Sequence, residues 1–212
     1  MLSPEILKYA DDHSNVDDPV LIEIERSTHL HTLAPQMLSG RIQGKLLTLI
    51  TSLLNAKNVL EIGTFTAYGT VCLAKGLGKE GKVVTIEANP EHSFLVKKHL
   101  KLSGLEDRVE SVIGDALQII PQRNEVWDLV YIDAHKQEYI EYYQAVIDRV
   151  RSGGIIVSDN VLWSGKVVFE KDDVDAKAIN AYNEMLVNDP RVDVILLTVR
   201  DGLSVAVKIK TG

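Results

Sequence analysis

The sequence predicts an α/β fold of the Rossmann-like kind: a seven-stranded, mostly parallel sheet with helices on both faces and an antiparallel last strand. Three observations predict it. From Lys57 onward, short apolar runs alternate with longer amphipathic stretches, the pattern of right-handed βαβ units. The runs are almost continuously apolar, as strands buried on both faces are. The final two runs, VDVILLTVR (192–200) and LSVAVKIK (203–210), are separated only by Asp201-Gly202, a strong hairpin signal that turns the last strand antiparallel.

The elements follow in order. Residues 1–55 read as a helical arm, with a polar, acidic break near Asp11–Asp18 and a good helix in RIQGKLLTLITSLL. This arm is either a packing layer over the sheet or a lid or dimer-forming element. The first five strands are NVLEIG (58–63), KVVTIE (82–87), VESVIG (109–114), WDLVYID (127–133) and GIIVSD (154–159). Helical spacing falls between them, for example at Leu95, Leu100 and Leu102 after Asn89-Pro90, and at Tyr139, Tyr142, Ala145, Val146 and Ile147 after Asp133. There are no repeats or low-complexity linkers, so 1–212 is read as one domain, an arm (1–55) on a Rossmann-like core (56–212).

Composition narrows the function. At 45% hydrophobic and 25% charged residues the chain is an ordinary globular protein. A formal net charge of −7 argues against nucleic acid as partner, because phosphate-binding proteins usually show a basic face. The single cysteine, Cys72, excludes an internal disulfide and a cysteine-rich metal site; it reads as core packing. No stretch approaches the roughly 18–20 apolar residues of a membrane span, and the start lacks the basic-then-apolar pattern of a signal peptide. The protein is therefore expected to be cytoplasmic, with no membrane partner.

The first strand leads into a glycine loop, Glu61-Ile-Gly63-Thr-Phe65-Thr-Ala67-Tyr-Gly69. Nicotinamide enzymes usually carry a second glycine where this chain has Phe65, so that the backbone can approach a pyrophosphate. A bulky ring there favours a cofactor without phosphates. Glu87, 24 positions after Gly63, ends the second strand, where a carboxylate can accept hydrogen bonds from both ribose hydroxyls. At the end of the third strand, Gly114-Asp115-Ala116 either meets an adenine edge or supplies Asp115 as a helix N-cap.

The fourth strand ends Tyr131-Ile-Asp133-Ala-His135-Lys136, and the fifth ends Ser158-Asp159-Asn160. Ligands collect beyond the carboxyl ends of strands in such sheets. If these strands are neighbours, about 4.8 Å apart, Asp133 and Asp159 converge and repel unless protonated or bridged by a cation. With the Asn160 carbonyl the donor set is all oxygen and suits a divalent cation, Mg²⁺ first, with Ca²⁺ or Mn²⁺ as alternatives. Each acid alone reads equally as a helix cap or turn residue; the joint pattern is what points to metal. Lys136 opens the next helix over the same edge. A nearby dication would depress its pKa from the usual value near 10.4 and acidify a bound phenol, making Lys136 the candidate base. His135 is a rival base, preferred here as a pocket wall or local hydrogen-bonder.

Together these residues resemble the cation-dependent O-methyltransferases, class I S-adenosylmethionine-dependent enzymes that include catechol and caffeoyl-CoA O-methyltransferases. The likeness runs from about Met37 to the end and rests on MLSGRIQGKLL, VLEIGTFTAYG, VVTIEANPE, YIDAHKQEY, SDNVLWSGKVV, NDPRV and DGLSVAVK in the family's order and spacing. It implies the class I methyltransferase sheet, with its antiparallel last strand, and S-adenosylmethionine as cofactor. It further implies that Asp133, Asp159 and Asn160 hold the metal, with Lys136 as base. Glu61, Gly63 and Glu87 would hold the cofactor, joined by the backbone around Met37, Ser39 and Ala116, by Gly69 and Asp115 of the strand-end loops, and by Asp133. Trp163 matches a position that lies against an aromatic substrate, beside Lys136 and Asn160. A homodimer is implied by the family alone. The chain departs from the family in having Gly69 where relatives often carry Ser, and His135 where plant enzymes carry Asp. Its arm also lacks a match for the residues that help hold coenzyme A, which argues against a coenzyme A thioester acceptor.

The expected reaction is transfer of a methyl group from S-adenosylmethionine to a hydroxyl of a small catechol-like acceptor. The rivals are a metal-independent small-molecule methyltransferase in which Asp133 merely holds the cofactor, a nicotinamide oxidoreductase, and a non-catalytic scaffold. Phe65 and the terminal hairpin oppose the second. The presence of Asp133, Lys136, Asp159 and Asn160 together opposes the third, since a scaffold needs none of them.

Overall fold

The computed structural model describes residues 3–209; residues 1–2 and 210–212, including the last position of the predicted run 203–210, lie outside it. Its strands are β1 (Asn58–Ile62), β2 (Lys82–Glu87), β3 (Val109–Ile113), β4 (Trp127–Ile132), β5 (Val150–Asp159), β6 (Val192–Leu197) and β7 (Leu203–Lys208). They form one seven-stranded sheet in the order β3-β2-β1-β4-β5-β7-β6. β1 to β5 pair in parallel, and β7 lies antiparallel to both β5 and β6. Every predicted run is a strand. β5 starts earlier than expected because it carries extra residues against β4: Trp127 pairs with Val150 but Leu129 with Ile155.

The terminal hairpin is present, yet its connection is not the two residues Asp201-Gly202. β6 ends at Leu197, and residues 198–202 form a longer turn with Arg200 (φ 49°) and Gly202 (φ 86°) in left-handed backbone. Thr198 and Val199 have strand propensity, but Arg200 leaves the sheet to reach the backbone of residues 38–39. A Cβ on Gly202 would lie 2.6 Å from Leu162 Cγ, so only glycine lets the turn approach that loop.

The arm comprises α1 (Pro4–Asp12), α2 (Pro19–His31) and α3 (Arg41–Leu53). Its acidic break is a helix start: Asp18 accepts from Val20 N at 3.0 Å and Leu21 N at 3.3 Å. The remaining helices are α4 (Tyr68–Gly76), α5 (Ser93–Ser103), α6 (Ala116–Ile119), α7 (Tyr139–Val146), α8 (Lys166–Phe169) and α9 (Val174–Asn188). Alternate strand residues feed two cores. Val59, Leu129 and Val157 meet Ile24, Leu47, Val71 and Cys72 on one face, while Leu60, Val130 and Ile156 meet Tyr139, Tyr143 and Tyr182 on the other. Within the arm, α2 and α3 pack over the sheet, where Ile24 and Leu47 are fully buried, each contributing about 1.5–3 kcal/mol by leaving water, whereas α1 leaves Ile6, Leu7 and Tyr9 exposed. No described helix is long and apolar enough to cross a membrane.

Candidate active site

In the β4–β5 register Ile132 lies opposite Ser158, so Asp133 and Asp159 leave the sheet side by side. Asp159 is 2% exposed, whereas the Asp133 side chain keeps 21% of its surface open. Burial, with the charge of Asp133 beside it, pushes the Asp159 carboxyl up to about 6, against the pull of Gln43 and Lys136. The charge of Asp133 therefore disfavours the ionised form of Asp159.

Their side chains are fixed by a buried polar network. Lys136, in a single 3-10 turn (Lys136–Glu138) before α7, donates to Asp133 Oδ1 at 2.9 Å and to Tyr139 Oη at 2.6 Å. Tyr139 Oη in turn donates to the Asp159 backbone carbonyl at 2.9 Å. Asp159 Oδ2 accepts from Gln43 Nε2 at 2.5 Å and Tyr131 Oη at 3.0 Å, and Asp159 Oδ1 accepts from Asn160 N at 2.7 Å. His135 stands apart, with its side chain 60% exposed and Nδ1 3.8 Å from Glu138 Oε1.

The loop after β5 is strained. Asn160 (φ 59°), Trp163 (φ 47°) and Ser164 (φ 55°) all adopt left-handed backbone, at about 1–3 kcal/mol each. The β6–β7 turn holds it there: Val161 N donates to Gly202 O at 3.2 Å, Leu162 N to Asp201 O at 2.9 Å, and Ser164 N to the Asp201 carboxylate. The strained loop sets the Trp163 ring 5.9 Å from Lys136 Nζ.

The β1–β2 half of the edge is built differently. Gly63 (φ 99°) runs so close to β4 that a Cβ would fall 1.9 Å from the Asp133 carbonyl oxygen. Glu61 lies beneath the loop, 1% exposed, with Oε2 accepting from Thr70 Oγ1 and, at 2.6 Å, from Thr85 Oγ1. Burial raises its pKa to about 8 despite those bonds. The space over Gly69 is bounded by Glu61 Oε1, the Tyr131 ring and Ser39 Oγ. Glu87 accepts from Phe65 N at 2.7 Å and Asn89 N at 2.9 Å, so it organises the loop while keeping lone pairs at the sheet edge. Phe65, in left-handed backbone, packs edge-on against His92. Asp115 is exposed and caps α6 through Leu117 N at 2.9 Å, beside the buried Ala116. Ser39 is buried with Oγ 3.5 Å from Tyr131 Oη, and Met37, in a 3-10 turn, is 57% exposed.

Thus Asp133, Lys136, Asp159, Asn160 and Trp163 form one cluster, and Ser39, Glu61, Gly63 and Gly69 a second that meets it at Asp133 and Tyr131. Glu87 and Asp115 stand further along the edge, on β2 and after β3. The donors present fit a hard divalent cation: two carboxylates and a neutral carboxamide, with mutual repulsion that positive charge would relieve. They also fit a donor molecule without phosphates, since the loop presents Phe65 at the place where a pyrophosphate would need a glycine.

Sequence reasoning missed Gln43, Tyr131, Tyr139 and Arg200. Arg200 Nη1 donates to Leu38 O at 2.8 Å and to Ser39 O, so one turn grips the loops bordering both clusters. For Gln43 a signal existed: Gln43, Leu47 and Thr51, spaced by four, share the buried face of α3, and a carboxamide there needs a partner.

The sheet order and antiparallel β7, with strand-end acids beyond the parallel strands, define an α/β methyltransferase fold. The comparisons agree. The family model described as O-methyltransferase matches residues 11–209. A catechol O-methyltransferase of Mycobacterium tuberculosis is 37% identical over 191 residues, 90% of this chain and 86% of that protein. A caffeoyl-CoA O-methyltransferase of Populus trichocarpa is 33% identical, covering 82% of this chain and 76% of its own. The crystal structure of an O-methyltransferase from Bacillus cereus in complex with SAH superposes with a TM-score of 0.89 at 32% identity, covering 96% of this chain and 97% of that one. The chain belongs to the O-methyltransferase family.

Proposed function

We propose that this O-methyltransferase moves the methyl group of S-adenosylmethionine to one hydroxyl of a small vicinal diphenol, at a divalent-cation site formed by Asp133, Asp159 and Asn160. The observation that carries the reading is the pair of adjacent strand-end acids, one buried, with Lys136 bonded to the other and Trp163 above. The cation, when bound, supplies the positive charge that draws two vicinal oxygens to one place and makes a phenol more acidic. The hydroxyl proton would pass to Lys136 Nζ in its neutral form, which the charge of a bound cation would favour. The acceptor oxygen attacks the methyl carbon in line, the carbon–sulfur bond breaks onto sulfur, and S-adenosylhomocysteine departs. Opposite charges disappear in this step, so the protein contributes chiefly alignment, for which about 7–11 kcal/mol is available.

On this reading the donor lies along the β1–β2 half. Gly63, Gly69, Glu61 and Ser39 surround its amino-acid end, Glu87 its ribose, and Asp115-Ala116 its base, with Met37 over it and Asp133 at the junction. Trp163 forms a wall for the acceptor ring, and Asn160 orients the acceptor beside Lys136. The catechol O-methyltransferase relative supports the acceptor class, and the complex with SAH, the demethylated donor, supports the donor. The test is mass spectrometry of products from S-adenosylmethionine and a panel of vicinal diphenols with Mg²⁺. Singly methylated diphenols are expected, with no product from monophenols of the same size. Equal methylation of monophenols would overturn the diphenol reading.

A further inference from the structure

We propose that Gln43, carried by the N-terminal arm, acts with Tyr131 as a positioning pair that decides which oxygen of Asp159 is offered to the cation; the inference rests on the metal reading above. Gln43 is fully buried on α3, and its Nε2 donates to Asp159 Oδ2 at 2.5 Å and to Tyr131 Oη at 2.9 Å. Tyr131 donates to the same Oδ2 at 3.0 Å. Two donors saturate that oxygen. Among the described residues Oδ1 receives only Asn160 N, at 2.7 Å, and keeps a free lone pair. Asp159 is thereby a one-oxygen ligand, which leaves more of the cation's coordination sphere for the acceptor.

The amide orientation follows from chemistry. Reversed, Gln43 would set its carbonyl oxygen against a carboxylate oxygen, two acceptors in contact. Both donors are neutral, so Asp159 is held without having its charge cancelled, as an Arg or Lys at position 43 would do. Gln43 Oε1 is buried with no partner among the described residues. A residue serving packing alone would not bury an unpaired carbonyl, which is costly; the NH₂ end is what the position uses. Partners that orient a metal's ligands in this way are a general feature of metal sites. The arm is then part of the metal site, and not merely a cover for the sheet.

The experiment titrates the full chain with Mn²⁺, following free Mn²⁺ by electron paramagnetic resonance, without donor or acceptor. It compares the wild type with Gln43→Met and Tyr131→Phe, and measures S-adenosylhomocysteine affinity of the wild type and Gln43→Met by calorimetry. Gln43→Met is expected to weaken Mn²⁺ binding by about 10–100-fold, and Tyr131→Phe by a smaller factor, while Gln43→Met leaves S-adenosylhomocysteine affinity unchanged. Unchanged Mn²⁺ affinity in a folded Gln43→Met overturns the proposal, as does a parallel loss of S-adenosylhomocysteine binding, the mark of general disruption. If Gln43→Met does not fold, unchanged Mn²⁺ affinity in Tyr131→Phe overturns it. A wild type that binds no Mn²⁺ removes the metal reading itself, an outcome distinct from the other three.

Discussion

The two halves of the sheet's carboxyl edge both bury acids, but they answer them with different partners. At β1–β2, Glu61 is met by the hydroxyls of Thr70 and Thr85, and Glu87 by the amides of Phe65 and Asn89. At β4–β5, Asp133 is met by Lys136 Nζ, while among the described residues Asp159 has only neutral donors. One lysine against two aspartates leaves a formal charge of −1 when all are ionised. In the β1–β2 half, burial pushes Glu61 up to about 8, so that acid is mostly protonated near pH 7. Hydrogen bonding to a donor molecule suits the first half, and capture of a cation suits the second.

Removing the lysine should have the largest effect on that contrast. Lys136→Met is expected to lower kcat by about 10²–10⁴-fold, the range of a lost general base, while S-adenosylhomocysteine affinity, measured by calorimetry, stays within error. An unchanged kcat would assign the proton to another acceptor and make the two halves more alike than described.

The β1–β2 half should show itself through pH and stability. The folded-state pKa of Glu61, about 8, lies above its ordinary value of 4.5. Its contribution is therefore complete below pH 4.5 and is lost as pH rises through 8. Glu61→Gln removes that titration, so the melting temperature of the variant should gain on the wild type between pH 5 and pH 9. A constant difference across that range would mean that Glu61 is ionised in the folded protein.

The smallest effect is expected at Arg200, which meets the first half only through the backbone carbonyls of Leu38 and Ser39. Arg200→Met removes its bonds to Leu38 and Ser39, worth about 1 kcal/mol net. KM for S-adenosylmethionine should rise roughly fivefold with little change in kcat. A fall in kcat without a KM change would show that the turn acts through the Trp163 loop instead.

The β4–β5 half was the more legible of the two. Its acids stand at the ends of strongly apolar runs, so two short motifs place Asp133, Lys136, Asp159 and Asn160 on one edge once neighbouring strands are assumed. What surrounds them was not legible. Tyr131 and Tyr139 sit in apolar patterns and read as core, because periodicity reports which face a side chain takes and not where its hydroxyl points. Asp115 had two readings, and the structure shows it capping α6. The two-residue hairpin failed for a long-range reason: Arg200 crosses some 160 positions of chain to reach residues 38–39, and no local pattern encodes that.

The measurement that tests the central claim most directly is the initial rate of methyl transfer to a vicinal diphenol against free Mg²⁺, at saturating S-adenosylmethionine, for the wild type and Asp159→Ala. The wild type should be inactive in excess EDTA and rise along a saturable curve as Mg²⁺ is restored. Asp159→Ala, with its circular dichroism unchanged, should stay near background throughout, a loss of at least about 10³-fold, or about 4 kcal/mol. Full wild-type activity in EDTA, or an Asp159→Ala rate close to the wild type, would contradict the account.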